Sequence, residues 1–226
     1  DVERSRGLGD VYKRQPIPDG VPDEAAALTE PCAVAVHAVR RSSLKLGDSV
    51  GVIGAGPIGL LAMQAARAAG ASQVIVSEPA PGRTNAALAV GATEVIDPFE
   101  QDPVDRIVEL TNGRGPEVIF DCAGLKNTLQ QAFDAVRRDG QVVLVAVPWE
   151  PLPLLPAEWM AREIDFRSSW GSLPTEWKIS LNLLADGKIS ASSIMSDTST
   201  IGLDEIQETF EALMSPTTQL QTIIRI

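Results

Sequence analysis

Val50-Gly51-Val52-Ile53-Gly54-Ala55-Gly56-Pro57-Ile58-Gly59 is the stretch that decides how this chain reads. An apolar run enters Gly-x-Gly-x-x-Gly, and Ile58, Leu61, Ala62, Ala65, Ala66 and Ala69 then recur at helical spacing. Each glycine has a physical task. Gly54 permits the tight turn out of the strand, Gly56 lets the backbone approach a pyrophosphate, and Gly59 lets the helix pack close to the sheet. The helix start offers N–H groups and a partial positive charge to the phosphates. Upstream, Gly47-Asp48 reads as a turn, and Gly70 sits where a helix C-cap belongs. Gln73–Ser77 is a second β-rich run. Glu78 follows it, 24 residues beyond Gly54, where an acid is expected at an offset of about 20. A carboxylate there accepts hydrogen bonds from the adenosine ribose hydroxyls and repels a 2′-phosphate, so the expected cofactor is NAD. The bland alternative is a glycine-rich turn in a nucleotide-free α/β domain; strand, helix and acid all in place argue against it.

Outward from this unit, strands and helices alternate. Thr93–Asp97 reads as a third strand after a helix ending near Gly91, and Asp105–Leu110 as a helix. Val118–Asp121 reads as a fourth strand and Thr128–Val136 as a helix. Gln141–Val147 reads as a fifth strand, and Ile164–Ser168 as a sixth at the sheet edge. Before the glycines, Asp23-Glu24 open an alanine-rich helix and residues 30–41 form a second helical stretch. The expected fold class is α/β with a parallel, doubly wound sheet.

Composition narrows the function. The chain has 226 residues, 44% apolar, with a net charge of −11. An acidic balance argues against a nucleic-acid partner, which needs a basic footprint. No apolar run approaches a membrane span. Two cysteines, Cys32 and Cys122, are too few for a disulfide framework, which fits a reduced, cytoplasmic setting. Residues 1–15 (DVERSRGLGDVYKRQ) are polar and without period. They read as a foreign, adapter-like leader or as a disordered terminus.

Glu30-Pro31 with residues 37–41, Gly54 to Gly59, Ser77-Glu78-Pro79, Asp121-Cys122-Ala123-Gly124 and Gly140-Gln141 occur in a recognisable order. The chain resembles the cofactor-domain half of zinc-type medium-chain dehydrogenases/reductases of the alcohol dehydrogenase superfamily. Within that superfamily it is most similar to the sorbitol, threonine and butanediol dehydrogenases. The resemblance spans roughly residues 16–226 and implies a Rossmann domain. It implies that Gly54, Gly56 and Gly59 hold the pyrophosphate, with Pro57 and Ile58 on the nicotinamide side. Glu78 would take the adenosine ribose, and Arg83 would flank the adenine, the alternative being a solvated helix residue. Val145, Ala146 and Val147 would meet the carboxamide through backbone groups. Ser169, Trp170 and Gly171 would close the nicotinamide pocket, unless they are only an edge strand and its turn. Glu30 matches a position beside the catalytic zinc, as a fourth ligand or one water away; otherwise it caps or solvates a helix end. His37, Cys32 and Cys122 read as packed residues rather than ligands.

The resemblance also implies what is lacking. In the family a barrel-like catalytic domain supplies the zinc ligands, and one histidine with two scattered cysteines cannot replace it. Residues 16–36 are expected to be a linker and helix from the catalytic-domain side, 37–171 the NAD-binding domain, and 172–226 a segment returning to the absent domain. In that segment Leu203, Ile206, Phe210 and Leu213 recur at helical spacing, and residues 220–226 are β-rich. The implied activity is hydride transfer between a secondary alcohol or polyol and NAD, with zinc only in the full-length enzyme and the fragment inactive. A homo-oligomer, dimer or tetramer, is implied through the edge strand. Two rivals stand beside it: a non-catalytic NAD-binding module and a zinc-free quinone-reductase type of enzyme.

Overall fold

Ser49–Ile53 (β1) is the strand around which the domain is organised. The computed structural model describes residues 15–151, 155–195, 200–213 and 220–226; of the expected leader, residues 1–14 lie outside them. Around β1 stand Gln73–Ser77 (β2), Glu94–Ile96 (β3), Val118–Asp121 (β4), Gln141–Leu144 (β5) and Asp165–Ser168 (β6). All pair in parallel, in the order β3-β2-β1-β4-β5-β6. Parallel strands covered on both faces are apolar throughout rather than alternating. Here Val50, Val52, Val74, Val76, Val118 and Phe120 enter one core, and Ile53, Ile75, Ile96, Ile119 and Val142 enter the other. The sixth strand lies at the edge as expected, and both of its charged residues are exposed.

Asp23–Ala27 (α1), Thr29–Arg41 (α2), Pro57–Ala68 (α3) and Pro174–Ala185 (α8) cluster on the first core. Pro103–Leu110 (α5) and Thr128–Ala135 (α6) cover the second. Pro81–Ala89 (α4) links β2 to β3, and Pro156–Ala161 (α7) precedes β6. Helix α3 begins with Pro57, whose missing N–H costs nothing in a first turn. It ends on Gly70 at φ +107°, with Ala71 N–H donating to Ala66 O and Gly70 N–H to Arg67 O, the paired bonds of a Schellman cap. The fifth strand stops at Leu144 rather than continuing to Val147. The N–H groups of Val145 and Ala146 both donate to Asp121 O, at 2.9 and 3.0 Å, which turns the chain out of the ladder.

The last segment holds a 3₁₀ turn at Leu203–Glu205 and helix Ile206–Leu213 (α9), so the helical spacing read there is realised. Thr200–Ile201 (β7) and Ile223–Ile224 (β8) pair in parallel beside it. The apolar face of α9 is uncovered within the described residues, with Phe210 67% exposed.

Candidate dinucleotide site

In a sheet of order 3-2-1-4-5-6, the chain leaves β1 toward one face and β4 toward the other, which opens a crevice at their carboxyl ends. The glycine loop sits there. Gly54 has φ +90°, a conformation side chains rarely adopt, and a Cβ on it would stand 3.0 Å from Ala123 Cβ. A Cβ on Gly59 would lie 1.9 Å from Gly54 O, so the first turn of α3 rests directly on the loop. Gly56 differs: its φ is −66° and nothing stands within 4 Å of an added Cβ. Its side of the loop faces open space, as an approach path for a phosphate requires.

Glu78 stands on the β2 side of the loop. It is 3% exposed. Its Oε2 accepts the Ala55 N–H at 2.7 Å and its Oε1 the Ala80 N–H at 2.9 Å. Arg83, in the first turn of α4, holds Nη1 3.9 Å from Glu78 Oε2, and its buried Nε has no hydrogen-bond partner among the described residues. On the other flank, beyond β6, Ser169 is buried and its Oγ likewise has no partner. Trp170 is 78% exposed and Gly171 has φ +62°. Val145 is buried and Val147 exposed on the turn after β5. A buried polar atom without a partner is costly. Such atoms on either side of an open glycine loop fit a ligand with polar groups at both ends.

Asp121, fully buried at the end of β4, was not singled out by sequence beyond its place in a motif. Its Oδ1 accepts the N–H groups of Ala123 and Gly124, both at 3.0 Å, and its Oδ2 the Thr128 hydroxyl at 3.3 Å. It shapes the loop that backs Gly54 and that brings Gly124, at φ +65°, against Ala146. The signal was present: an Asp at a strand end bonding its own backbone two residues on is a turn device. Burial raises the Asp121 carboxyl above the ordinary 3.8, against its three hydrogen bonds, which lower it. For an acid raised in the folded state, the folded chain binds more protons, so stability falls as pH rises through that window. Asp121→Asn keeps an acceptor for both N–H groups and removes the titration. Urea midpoints measured from pH 4 to 7 should depend less on pH in the variant, and at pH 7 should be no lower than in the parent.

The structure does not assemble a metal centre from the residues considered for one. Glu30 is exposed in the first turn of α2. His37 Nδ1 lies 2.9 Å from Glu176 Oε1, joining α2 to α8, and Arg40 Nε stands 3.6 Å from the same oxygen. Burial pushes the Cys32 thiol up to about 11. Cys122 is pushed up as well, by burial and then by the charge of Asp121. No group of three or more His, Cys, Asp or Glu among the described residues is placed to hold a metal ion. Zinc sites use three or four such ligands, so the described residues do not fit one.

Residues 57–186 match the sequence profile of the family described as zinc-binding dehydrogenase. This chain belongs to that family. Sorbitol dehydrogenase of Bacillus subtilis (strain 168) is 36% identical to it over 196 residues, covering 86% of this chain and 55% of that protein. The crystal structure of 2R,3R-butanediol dehydrogenase from Bacillus subtilis superposes with a TM-score of 0.86 at 34% identity, over 93% of this chain and 60% of the other. A zinc-binding dehydrogenase of Sinorhizobium meliloti 1021, solved with NADP bound, superposes with a TM-score of 0.82 at 30% identity, over 92% of this chain and 60% of the other. The chain thus spans little more than half the length of these relatives. The superpositions take in more than nine-tenths of this chain, well beyond its six-stranded sheet, and no helix among its described residues is long and apolar enough to cross a membrane.

Proposed function

We propose that this chain is the NAD-binding part of an alcohol or polyol dehydrogenase. The carrying observation is the Glu78 carboxylate at the end of β2, buried and hydrogen-bonded to Ala55 in the glycine loop. An acid at that point suits a free ribose diol and repels a 2′-phosphate, which favours NAD over NADP. Gly56 gives the pyrophosphate its approach, beside Pro57 and Ile58 at the helix start, where N–H groups and the dipole favour an anion. Arg83 flanks the adenine, where a cation over an aromatic plane contributes about 0.5–2 kcal/mol. Val145, Ala146 and Val147, with Ser169 to Gly171, receive the nicotinamide end. The cofactor, when bound, supplies hydride chemistry; the protein orients it.

The relatives named as sorbitol and butanediol dehydrogenases support a secondary alcohol or polyol as the substrate class. On the same reading this chain binds the cofactor without turnover. The exposed edge of β6 supports pairing between copies. Calorimetric titration tests the reading. NAD should bind saturably and NADP at least about tenfold more weakly, a difference of about 1.4 kcal/mol. No NADH should form with sorbitol or 2,3-butanediol. A folded chain that binds neither dinucleotide overturns the proposal.

A further inference from the structure

We infer that Glu78 is a positioning residue for the glycine loop in addition to any contact it makes with a ribose. The inference rests on the cofactor reading for its consequence but not for its geometry. An ionised carboxylate has about four acceptor sites. Two of these in Glu78 are taken by backbone: Ala55 N–H, between the first two glycines, and Ala80 N–H, at the entry to α4. The first of these bonds crosses from β2 to the loop after β1. Gly54 N–H to Ser77 O, at 2.8 Å, is the adjoining tie between the same two segments. Gly54 lies against Ala123 and Ala55 is buried, so the loop is packed on its inner side, while Gly56 has open space beside it. Glu78 is the buried acceptor that fixes the loop's middle residue. The two remaining acceptor sites suffice for a ribose diol, so one carboxylate both sets the loop and receives the sugar. The phosphate-facing backbone is thereby held in place by the residue that selects the cofactor. Neutralising Glu78 to admit a 2′-phosphate would loosen the phosphate site as well.

The variants are Glu78→Gln, which keeps one acceptor oxygen, and Glu78→Ala, which keeps none. The probes are ADP and 2′,3′-dideoxy-ADP, which carries the diphosphate but neither ribose hydroxyl. In Glu78→Ala the dideoxy compound should bind about tenfold or more weakly than to the parent chain, the loss expected for a hydrogen bond to a charged group, and in Glu78→Gln, whose amide oxygen still accepts one N–H, the loss should be smaller. Amide hydrogen exchange at Ala55 should accelerate by a similar factor while Val52, in the adjoining strand, keeps its rate. If Glu78 serves only the hydroxyls, dideoxy-ADP affinity stays unchanged, or rises because a negative charge near the phosphates is gone. Either result overturns the inference. So does equal acceleration at Ala55 and Val52, which would mark a global loss of stability. If the parent chain binds neither nucleotide, the cofactor reading fails, and the exchange at Ala55 still decides whether Glu78 holds the loop.

Discussion

Gly59→Ala is expected to remove NAD binding and to lower the stability of the chain by about 3 kcal/mol, the upper part of the range for forcing atoms into a packed site. The added Cβ would stand 1.9 Å from Gly54 O. That oxygen is backbone, so no side-chain rotation relieves the contact. Either α3 lifts from the loop or the loop moves, and Gly54 is itself closed in by Ala123 at 3.0 Å. Both movements displace the N–H groups of the first helical turn from the phosphate position. Gly56→Ala is the control. Its Cβ meets nothing within 4 Å and its φ of −66° suits any residue. Surface substitutions of this kind usually stay within about 0.5 kcal/mol. The variant should therefore unfold at the parent's temperature yet bind NAD more weakly, because the methyl group occupies the approach to the pyrophosphate. Calorimetric NAD titration beside thermal denaturation reads both effects. Equal stability of Gly59→Ala and the parent would show that the close contact of helix and loop is not tight.

Phe120→Ala should destabilise the chain by about 4 kcal/mol, within the usual range for deleting a buried aromatic side chain. Phe120 is fully buried in β4, in register with Val52 on one side and Val143 on the other. Its ring enters the core under α3, so the cavity would open beneath the helix that carries the dinucleotide fingerprint. For a domain of this size, each kcal/mol lowers the midpoint of thermal unfolding by about 2–4 °C, so a shift of roughly 8–16 °C is expected. Phe120→Leu, which keeps most of the volume, should cost under about 1.5 kcal/mol. If the alanine variant melts within a few degrees of the parent, the core does not rest on this ring.

The site was legible in the sequence where its signals are local. The turn at Gly54, the helix start at Pro57, the cap at Gly70 and the acid after β2 are each set by residues within one turn or one strand of one another. Periodicity and glycine placement report such features directly. The end of β5 was not legible. Gln141 to Val147 is uniformly apolar after its first residue, and only the competing acceptor at Asp121 O, from another strand, stops the ladder at Leu144. Glu176 shows the same limit. Nothing around it in sequence marks it as the partner of His37, 139 residues away. Arg162 is another case: its guanidinium donates to the carbonyls of Phe133 and Val136 at the end of α6.

By itself, then, the sequence determined the kinds of element and the chemistry of the loop: apolar strands, a glycine turn, a helix start that favours an anion, and a carboxylate at the right offset. These follow from backbone freedom and side-chain type, which act over a few residues. The tertiary structure alone decided that the strands stand in the order β3-β2-β1-β4-β5-β6, which places the crevice beside the glycines. It decided that Glu78 bonds Ala55, that Asp121 shapes the loop behind Gly54, and that His37 is spent on Glu176 rather than left for a metal. Those outcomes depend on which distant groups share a buried volume. Once water is excluded there, each donor must find an acceptor across the fold, and no local pattern records which one it finds.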